Sequence, residues 1–303
     1  MAKLLICDHV EVDQLALGPG IEVDYKPTIS REELLRIAGD YEGFIIRSRT
    51  KIDREVLDRA SRLRLVARPG TGLDNVDVEY AKSKGIAVIN SPESLVEAVA
   101  EHVVLLMLAL SRNLVPADQS TRSGKWEKNA LMGRELKGKV LGIVGLGRIG
   151  RRIAEIAKTL GMSVLVYDVI VIPQEVLAES GAMVVTLDEV FSSSDYITLH
   201  VPMTPDTAHL VNASRLAQMK KSSYIINTSR GGVIDEPALA EALNEDRIGG
   251  AALDVFEKEP PSGAILSAPK TVLTPHIGGQ TEEAQTSAIV AIGERVRTFF
   301  SSH

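Results

Sequence analysis

The stretch VLGIVGLGRIG, at residues 140–150, decides the fold of this chain. Its first half, VLGIV, is a short apolar run that is typical of a buried parallel strand. After it come Gly145, Gly147 and Gly150, and apolar residues then recur at helical spacing. In such a turn the first glycine permits a tight bend, the second lets a pyrophosphate approach the backbone, and the third lets the helix pack against the strand. We therefore predict a dinucleotide site at a helix start, where free amides and the helix dipole favour phosphate.

The next predicted strand, SVLVY at residues 163–167, ends in Asp168, which lies 18 residues beyond Gly150. An acidic residue at the tip of the second strand accepts hydrogen bonds from an adenosine ribose and repels a 2′-phosphate. The alternative is that Asp168 only caps the strand end. Residues 169–172, VIVI, bring no arginine that would bind a 2′-phosphate. The sequence therefore predicts NAD as the cofactor, rather than NADP.

Composition narrows the class of protein. The 303 residues are 45% hydrophobic and 24% charged, which is enough for two domains with separate cores. The net charge of −6 argues against nucleic acid as a partner. Cys7 is the single cysteine, and no HExxH occurs, so we expect neither a disulfide framework nor a metal site. The apolar run at residues 95–110 contains Glu97 and Glu101 and is short for a bilayer, so a cytoplasmic protein without a membrane partner is expected.

The order of predicted elements indicates an α/β protein with two doubly wound parallel sheets. Residues 1–93 with 281–303 are expected to form a smaller, flavodoxin-like substrate domain, and residues 94–280 a Rossmann NAD-binding domain. Ser30 followed by Glu33 predicts a capping box, and Asp53 predicts a simple cap. The other predicted strands are residues 3–7, 43–47, 63–67, 87–90, 183–185, 196–199, 224–227, 250–253 and 271–273. The predicted helices are residues 30–38, 53–60, 76–84, 94–112, 187–191, 213–218, 236–243 and 282–300.

Three side chains follow the carboxyl ends of predicted strands, where ligands bind in open α/β sheets. Arg230 follows the strand at residues 224–227, Asp254 follows 250–253, and His276 follows 271–273. Glu259 lies in the loop between the last two of these strands. Taken singly, Arg230 could pair with a nearby acid, Glu259 could be a solvated loop charge, and His276 could be structural.

Taken together, these residues predict the reduction or oxidation of a 2-oxo or 2-hydroxy acid. A guanidinium grips a planar carboxylate with two bonds, and we assign this role and that of polarising the ketone to Arg230. His276 is the expected general acid and base, and Glu259 is expected to favour its charged form. The remaining histidines are assigned structural or surface roles. Of these, His200 lies nearest the predicted site; the others are His9, His102, His209 and His303.

Several segments carry a family resemblance that extends over essentially the whole chain. They are residues 47–48 (RS), 68–77 (RPGTGLDNVD), 124–127 (GKWE), 145–150 (GLGRIG), 230–236 (RGGVIDE), 251–256 (AALDVF) and 276–279 (HIGG). With these segments the chain resembles the D-2-hydroxyacid dehydrogenases, and most of all the members that oxidise D-3-phosphoglycerate.

The resemblance implies roles beyond those read from the residues. It implies Arg230, Glu259 and His276 as the catalytic set, and a homodimer formed through the NAD-binding domain with the Trp126 region reaching toward the partner. Arg47 would meet a distal phosphate, and the amides of Gly70 and Thr71 would bind the substrate carboxylate, with Ser48 beside them. The implied cofactor contacts are Thr71, Arg148, Ile149, Asp168, Val201, Thr228, Ser229, Asp254, His276, Gly278 and Gly279.

The implied activity is NAD-dependent oxidation of D-3-phosphoglycerate to 3-phosphohydroxypyruvate, the first step of serine biosynthesis. Leu95-Val96 stands where relatives commonly carry an Asn-Ser pair, which weakens the case for a phosphorylated substrate over glyoxylate or hydroxypyruvate. The printed chain ends just after its last predicted helix, so we expect no regulatory domain and no inhibition by serine. A protein of another class, an NAD-sensing binding module similar to the corepressors that resemble this family, is the remaining alternative.

Overall fold

A computed structural model describes residues 1–302 and divides the chain into two compact units. The first unit comprises Met1–Leu95 together with the chain from Gly279 onward. The second unit is Val96–Gly278. Each contains one parallel sheet with helices packed on it, which confirms the predicted α/β class with two doubly wound sheets.

The first unit is built on a five-stranded sheet in the order β2-β1-β3-β4-β5, which is the flavodoxin-like order. All four strand pairs are parallel. Crossover helices connect the strands, as parallel pairing requires. The elements are β1 (Ala2–Ile6), α1 (Val12–Leu15), β2 (Ile21–Tyr25), α2 (Arg31–Ile37), β3 (Gly43–Ile45), α3 (Arg54–Arg59), β4 (Leu65–Arg68), α4 (Val78–Ser83) and β5 (Ala87–Asn90).

The second unit has a seven-stranded sheet in the order β12-β11-β10-β9-β6-β7-β8, so β6 lies where the strand order reverses. This is the Rossmann arrangement with one further strand. The elements are α5 (Val96–Ser111), α6 (Leu114–Arg122), β6 (Val140–Val144), α7 (Arg148–Thr159), β7 (Ser163–Tyr167), α8 (Gln174–Ser180), β8 (Ala182–Val184), α9 (Leu187–Ser193), β9 (Tyr196–Leu199), α10 (Ala213–Gln218), β10 (Tyr224–Asn227), α11 (Glu236–Asn244), β11 (Gly250–Leu253) and β12 (Thr271–Leu273). The chain ends in α12 (Glu282–Ser301), which packs on α1, β4 and β5 of the first unit.

Apolar side chains on both faces of each sheet explain why the strands read as continuous hydrophobic runs. In the second unit, Phe191 and Ile225 belong to the core on one face, and Ile143 and Ile226 to the core on the other. All residues of β9, β10 and β11 are buried except Tyr224, which is partly buried. The central strands are therefore held rigidly, and they position the loops that follow their carboxyl ends.

The structure contains elements that the sequence patterns did not predict, namely α1, β2, α6 and α8. β2 is an edge strand in which no residue is fully buried, and it carries Glu22 and Asp24, so its apolar signal is weak. The predicted capping box at Ser30 is wrong. Ser30 does accept the Glu33 amide, but the Glu33 carboxylate binds Lys26 instead of the cap. A complete capping box occurs at the start of α9.

The apolar segment before β6 is longer than predicted. Pro92–Ser111 has 20 helical residues, and by length and composition alone it is sufficient to cross a membrane, contrary to the sequence-based expectation. Of its most apolar window, 56% is buried inside the structure. Val103, Leu106 and Met107 pack in the same core as Ile143. Burial of this kind is also typical of a core helix.

Candidate active site

The glycine turn between β6 and α7 has two glycines that packing requires and one that faces open space. A side chain at Gly145, whose φ is 95°, would lie 2.5 Å from the His200 carbonyl oxygen. At Gly150 it would lie 2.3 Å from the Gly145 carbonyl oxygen. At Gly147 no atom of residues 1–302, apart from its neighbours in the chain, lies within 4 Å of such a side chain. Among the described residues no side chain caps the start of α7, so its first amides and the space beside Gly147 fit a pyrophosphate.

Asp168 joins the end of β7 to the glycine turn. Its Oδ2 accepts a hydrogen bond of 2.7 Å from the Leu146 amide, and its Oδ1 accepts one of 3.0 Å from the Ile170 amide. The strand-capping role considered above is therefore present in the structure. Each carboxylate oxygen can accept further bonds, so this cap is compatible with a ribose hydroxyl as well.

The turn after β10 fixes the backbone around Arg230. Asn227 is buried, and its side chain accepts from the Ser229 amide at 3.0 Å and donates to the Arg230 carbonyl at 2.9 Å. Arg230 Nη1 donates to the Ser229 carbonyl at 2.6 Å. The Thr228 hydroxyl is buried and has no hydrogen-bond partner among the described residues. An unsatisfied hydroxyl at the carboxyl edge of the sheet fits a polar ligand such as a nucleotide.

His276 and Glu259 form the predicted pair. His276 Nδ1 lies 3.1 and 3.0 Å from the two carboxylate oxygens of Glu259. Glu259 also accepts from the Phe256 amide at 3.4 Å. Because Nδ1 faces a carboxylate, it carries the hydrogen of a neutral ring, and Nε2 is the nitrogen that can exchange a proton. The His276 side chain is 55% exposed, so a small molecule can reach the ring.

The backbone of His276 has a φ of 55°, and Asp254 holds the turn around it. Asp254 is buried, and its carboxylate accepts from the Ile277 amide at 2.9 Å and the Gly278 amide at 2.8 Å. Thr274 donates to it at 2.6 Å. Burial acts to raise the pKa of Asp254, but these hydrogen bonds, with one from His102, outweigh burial and hold that pKa below its usual value. Asp254 is therefore a charged anchor for the turn.

His102 also belongs to this arrangement, although the sequence indicated only a structural or surface role for it. Its Nε2 lies 3.4 Å from Asp254 Oδ1 and 3.2 Å from the Thr274 hydroxyl. The available signal was a histidine within a mostly apolar helix, VEAVAEHVVLLMLALS. His303, which was also assigned a structural or surface role, lies outside the described residues.

In the first unit, the predicted substrate residues also follow strand ends. Arg47 and Ser48 follow β3. Arg47 Nη2 donates to the side chain of Gln285 on α12, a partner that the sequence did not indicate. Thr71, like Gly70, follows β4, and its hydroxyl is buried without a partner among the described residues. One prediction needs correction here. The Gly70 amide donates to the Ser91 hydroxyl at 2.9 Å, so this amide is already engaged and does not face a substrate carboxylate.

The remaining predicted cofactor residues lie in the second unit, apart from Gly279 at the start of the segment that returns to the first. Arg148 and Ile149 are the first residues of α7, and Val201 follows β9 by two residues. Gly278 packs closely on Asp254, where an added side chain would lie 3.0 Å from Oδ2. All of them lie near carboxyl ends of strands, the edge at which Rossmann sheets bind nucleotides.

Fold and site together define a Rossmann-type dinucleotide-binding protein with a histidine–carboxylate pair after its last strand. Residues 104–278 match the family model described as D-isomer specific 2-hydroxyacid dehydrogenase, NAD binding domain. The chain belongs to this family, and its second unit contains the NAD-binding domain. The family resemblance stated from the sequence is thereby confirmed.

Individual relatives agree with this assignment. The chain is 44% identical over 301 residues to a D-3-phosphoglycerate dehydrogenase of Synechocystis sp., covering 98% of this chain and 54% of that protein. It is similar to the structure of a glyoxylate reductase from Paecilomyes thermophila, with a TM-score of 0.91, 29% identity, and coverage of 98% and 94%. It is also similar to D-lactate dehydrogenase from Aquifex aeolicus complexed with NAD and lactic acid, with a TM-score of 0.86, 29% identity, and coverage of 99% and 96%. The chain spans about half the length of the curated relatives it matches.

Proposed function

We propose that the protein is an NAD-dependent dehydrogenase of D-2-hydroxy acids. The observation that carries this proposal is the contact of His276 Nδ1 with both carboxylate oxygens of Glu259, at 3.1 and 3.0 Å, in a chain of this family. When bound, NAD supplies the acceptor for the hydride of the substrate carbon. The proton of the substrate hydroxyl then needs a base, and the open Nε2 of His276 provides one.

In this proposal each side chain has a separate task. Arg230 grips the substrate carboxylate and orients the oxygen at C2. His276 takes the hydroxyl proton in oxidation and returns it in reduction. Glu259 fixes the ring orientation and stabilises the charge that forms on the imidazole, as a carboxylate does for other acid–base histidines. The glycine turn, Asp168 and the buried hydroxyl of Thr228 hold the cofactor.

For the substrate, we propose D-3-phosphoglycerate, oxidised to 3-phosphohydroxypyruvate. The supporting feature is Arg47. Burial lowers the pKa of its guanidinium, while the Asp8 charge acts in the opposite sense. The guanidinium donates to the neutral amide of Gln285 and forms no ion pair with a carboxylate within residues 1–302. A partly desolvated cation bound to a neutral group favours an anionic ligand such as phosphate.

Reduction of glyoxylate or hydroxypyruvate is the second candidate, and Leu95 is the observation that favours it. The Leu95 side chain lies against two turns of the first unit, 3.8 Å from the side-chain position of Gly70 and 3.2 Å from that of Gly279. Leu95 therefore offers an apolar surface, whereas a polar side chain at this position could contact a larger, phosphorylated substrate. The similarity to a glyoxylate reductase is consistent with this candidate.

Steady-state kinetics separate the two candidates. NAD reduction is measured with D-3-phosphoglycerate, and NADH oxidation with glyoxylate and hydroxypyruvate. Arg47→Ala is expected to raise the KM for the phosphorylated acid about 10- to 100-fold, the equivalent of one charge-assisted hydrogen bond, and to leave glyoxylate kinetics within about twofold. Arg36→Ala, which removes an exposed arginine of α2, is the control. Equal effects of Arg47→Ala on all three acids would exclude Arg47 as the phosphate ligand.

We further propose a cytoplasmic homodimer that binds neither membrane nor nucleic acid and associates through its NAD-binding domain. Exposed apolar side chains on α5, on α6 and in the following loop support the dimer. They are Leu105, Leu108, Leu114, Val115, Trp126 and Met132, which are 37–85% exposed. Light scattering tests this proposal: the double variant Leu105→Glu with Leu108→Glu is expected to be a monomer, and a wild-type monomer would contradict the dimer.

A protein that binds NAD but turns over none of these acids would instead support the NAD-sensing alternative.

A further inference from the structure

Two glutamates outside the predicted site bind each other's backbone. The Glu236 amide donates to Glu257 Oε1 at 3.0 Å, and the Glu257 amide donates to Glu236 Oε1 at 2.6 Å. Glu236 is the first residue of α11, and it is 9% exposed. Glu257 lies in the loop after β11. The two bonds therefore tie the start of a helix to a loop 21 residues further along the chain.

These two segments are the ones that carry Arg230 and Glu259. Arg230 precedes α11 by a short turn, and Glu259 lies two residues after Glu257. The turn and the loop also touch directly. A side chain added at Gly231 would lie 1.8 Å from the Phe256 carbonyl carbon, so only glycine allows this approach. The Phe256 amide, in turn, donates to Glu259 at 3.4 Å.

His209 supports the same contact from a third segment. Its Nε2 lies 3.3 Å from Glu257 Oε1, the oxygen that accepts the Glu236 amide. Its own amide donates to the Gly232 carbonyl at 2.8 Å. The segments after β9, β10 and β11 are thus joined by polar contacts at one edge of the sheet. We call Glu236, Glu257 and His209 the glutamate brace.

We propose that the glutamate brace is a positioning device for the reaction, which holds the turn of Arg230 and the loop of Glu259 in a fixed relation. This proposal rests on the function proposed above, in which Arg230 and Glu259 act on one substrate. Neither Glu236 nor Glu257 is assigned a contact with substrate. They act through Glu259, whose position decides how His276 is held.

The environment of Glu236 supports a specific role for its carboxylate. Burial raises the pKa of the Glu236 carboxyl, the Glu257 amide opposes that rise, and the Glu257 charge adds to it. The Glu257 amide is therefore the contact that stabilises the carboxylate in this position. Removal of the carboxylate leaves that amide without its acceptor and frees the loop before Glu259.

A double-mutant cycle tests the proposal. Glu236→Ala is expected to lower kcat about 10- to 100-fold, because displacements near 1 Å in a reacting group have effects of this size. Glu236→Gln keeps an acceptor oxygen for the Glu257 amide and is expected to restore at least half of the wild-type kcat. In a Glu259→Gln background, Glu236→Ala is expected to change kcat by less than about twofold, since the two residues act through the same contact. Full additivity of the two changes would overturn the proposal.

A second measurement does not depend on substrate. The ¹⁵N resonance of His276 Nδ1 reports its contact with Glu259, and Glu236→Ala is expected to shift it toward its position in Glu259→Gln. Glu257→Ala, at a more exposed position, is the second variant if Glu236→Ala does not fold, and the same shift is expected. Glu175→Gln, an exposed glutamate in the first turn of α8, is the matched control and should leave both kcat and the resonance unchanged.

The two measurements keep the proposals separate. A wild-type protein that turns over no 2-hydroxy acid would refute the proposed function, and the Nδ1 resonance would still decide the brace. A resonance that stays in place in both Glu236→Ala and Glu257→Ala would refute the brace, whatever the activity of the wild type.

Discussion

The glycine turn before α7 and the turn that carries His276 both follow strands of the same sheet, yet they are built differently. The glycine turn is shaped mainly by close backbone contacts, to the carbonyl oxygens of His200 and Gly145, and one carboxylate, that of Asp168, accepts from its Leu146 amide. The His276 turn is shaped by a buried side chain, Asp254, which accepts hydrogen bonds from two of its amides. The glycine turn thus depends mainly on the absence of side chains, and the His276 turn on a buried carboxylate that binds its backbone. We call the glycine turn the backbone end of the site and the His276 turn its side-chain end.

This difference has consequences for what a substitution does. At the glycine turn an added methyl group changes either packing or ligand access, depending on which glycine it replaces. At the His276 turn a polar substitution leaves shape nearly unchanged but alters charge and hydrogen bonding. Separate measurements of fold stability, NAD affinity and kcat should therefore distinguish the two regions.

The largest effect is expected at the side-chain end. His276→Gln removes the proposed proton acceptor and should lower kcat about 10²- to 10⁴-fold, the usual contribution of a general acid or base. NAD affinity, measured by calorimetry, should fall much less than kcat because the glycine turn is untouched. His9→Gln, at an exposed position of the first unit, is the control. A variant that kept more than half of the wild-type kcat would disprove the role of His276.

Asp254→Asn tests whether the His276 turn depends on charge. The amide keeps the shape of the side chain, but its NH2 group cannot accept from Ile277 or Gly278. We expect kcat to fall about tenfold or more, as for other misplacements of reacting groups. The free energy of unfolding, measured in urea, should fall by about 2–3 kcal/mol, the value of a hydrogen bond to a charged group.

The pH dependence of Asp254→Asn sharpens the same test. The pKa of Asp254 is held below its usual value in the folded state, so its stabilisation is present above that usual value, 3.8, and is lost as pH falls through the folded value. The stability difference between wild type and variant should therefore be constant near neutral pH and shrink only in strong acid. A difference that disappeared between pH 7 and 5 would contradict the charged anchor.

At the backbone end, two glycines should respond in opposite ways. Gly147→Ala meets no atom within 4 Å, so the fold should keep its stability while NAD affinity falls about tenfold, because the methyl group takes space that a pyrophosphate needs. Gly145→Ala, at a φ of 95°, should destabilise the protein by about 1–3 kcal/mol before any ligand is added. Calorimetry with NAD and urea unfolding measure both. Equal losses of stability in the two variants would refute the division of roles.

The same difference explains what the sequence could predict. Gly145, Gly147, Gly150 and Asp168 form a local pattern whose spacing has one main physical use, so strand, turn and helix followed from it. The positions of the buried strands in the chain followed from their continuous apolar runs. Arg230 and His276 could be proposed because each follows a predicted strand end, and Glu259 because it lies in the loop between two predicted strands.

The supports of those three residues could not be predicted, since they depend on tertiary contacts. Glu236 and Glu257 are ordinary charges in sequence, and only the fold places each carboxylate on the other's amide. Gln285 reaches Arg47 from the other end of the chain. Gly70 looked like a free amide donor until Ser91 was found to accept from it. Distances of 21 or more residues carry no periodic signal.

The smallest expected effect concerns His200, whose carbonyl oxygen contacts the glycine turn at the backbone end. Burial lowers the pKa of His200 to about 3, so this residue is neutral in the folded state and charged in the unfolded state below its usual value of 6.5. Protonation then favours unfolding, and stability should fall as pH drops below 6.5. His200→Gln can keep the hydrogen bond to Thr198 but cannot be protonated in this way, so the variant should lose less stability than the wild type between pH 6.5 and 5. The difference in the free energy of unfolding should be less than about 1.4 kcal/mol per pH unit, because His200 retains some exposure. Urea unfolding at several pH values measures the effect, with His9→Gln as the control. An unchanged pH dependence of stability in His200→Gln would show that the neutral histidine at the backbone end contributes nothing to it.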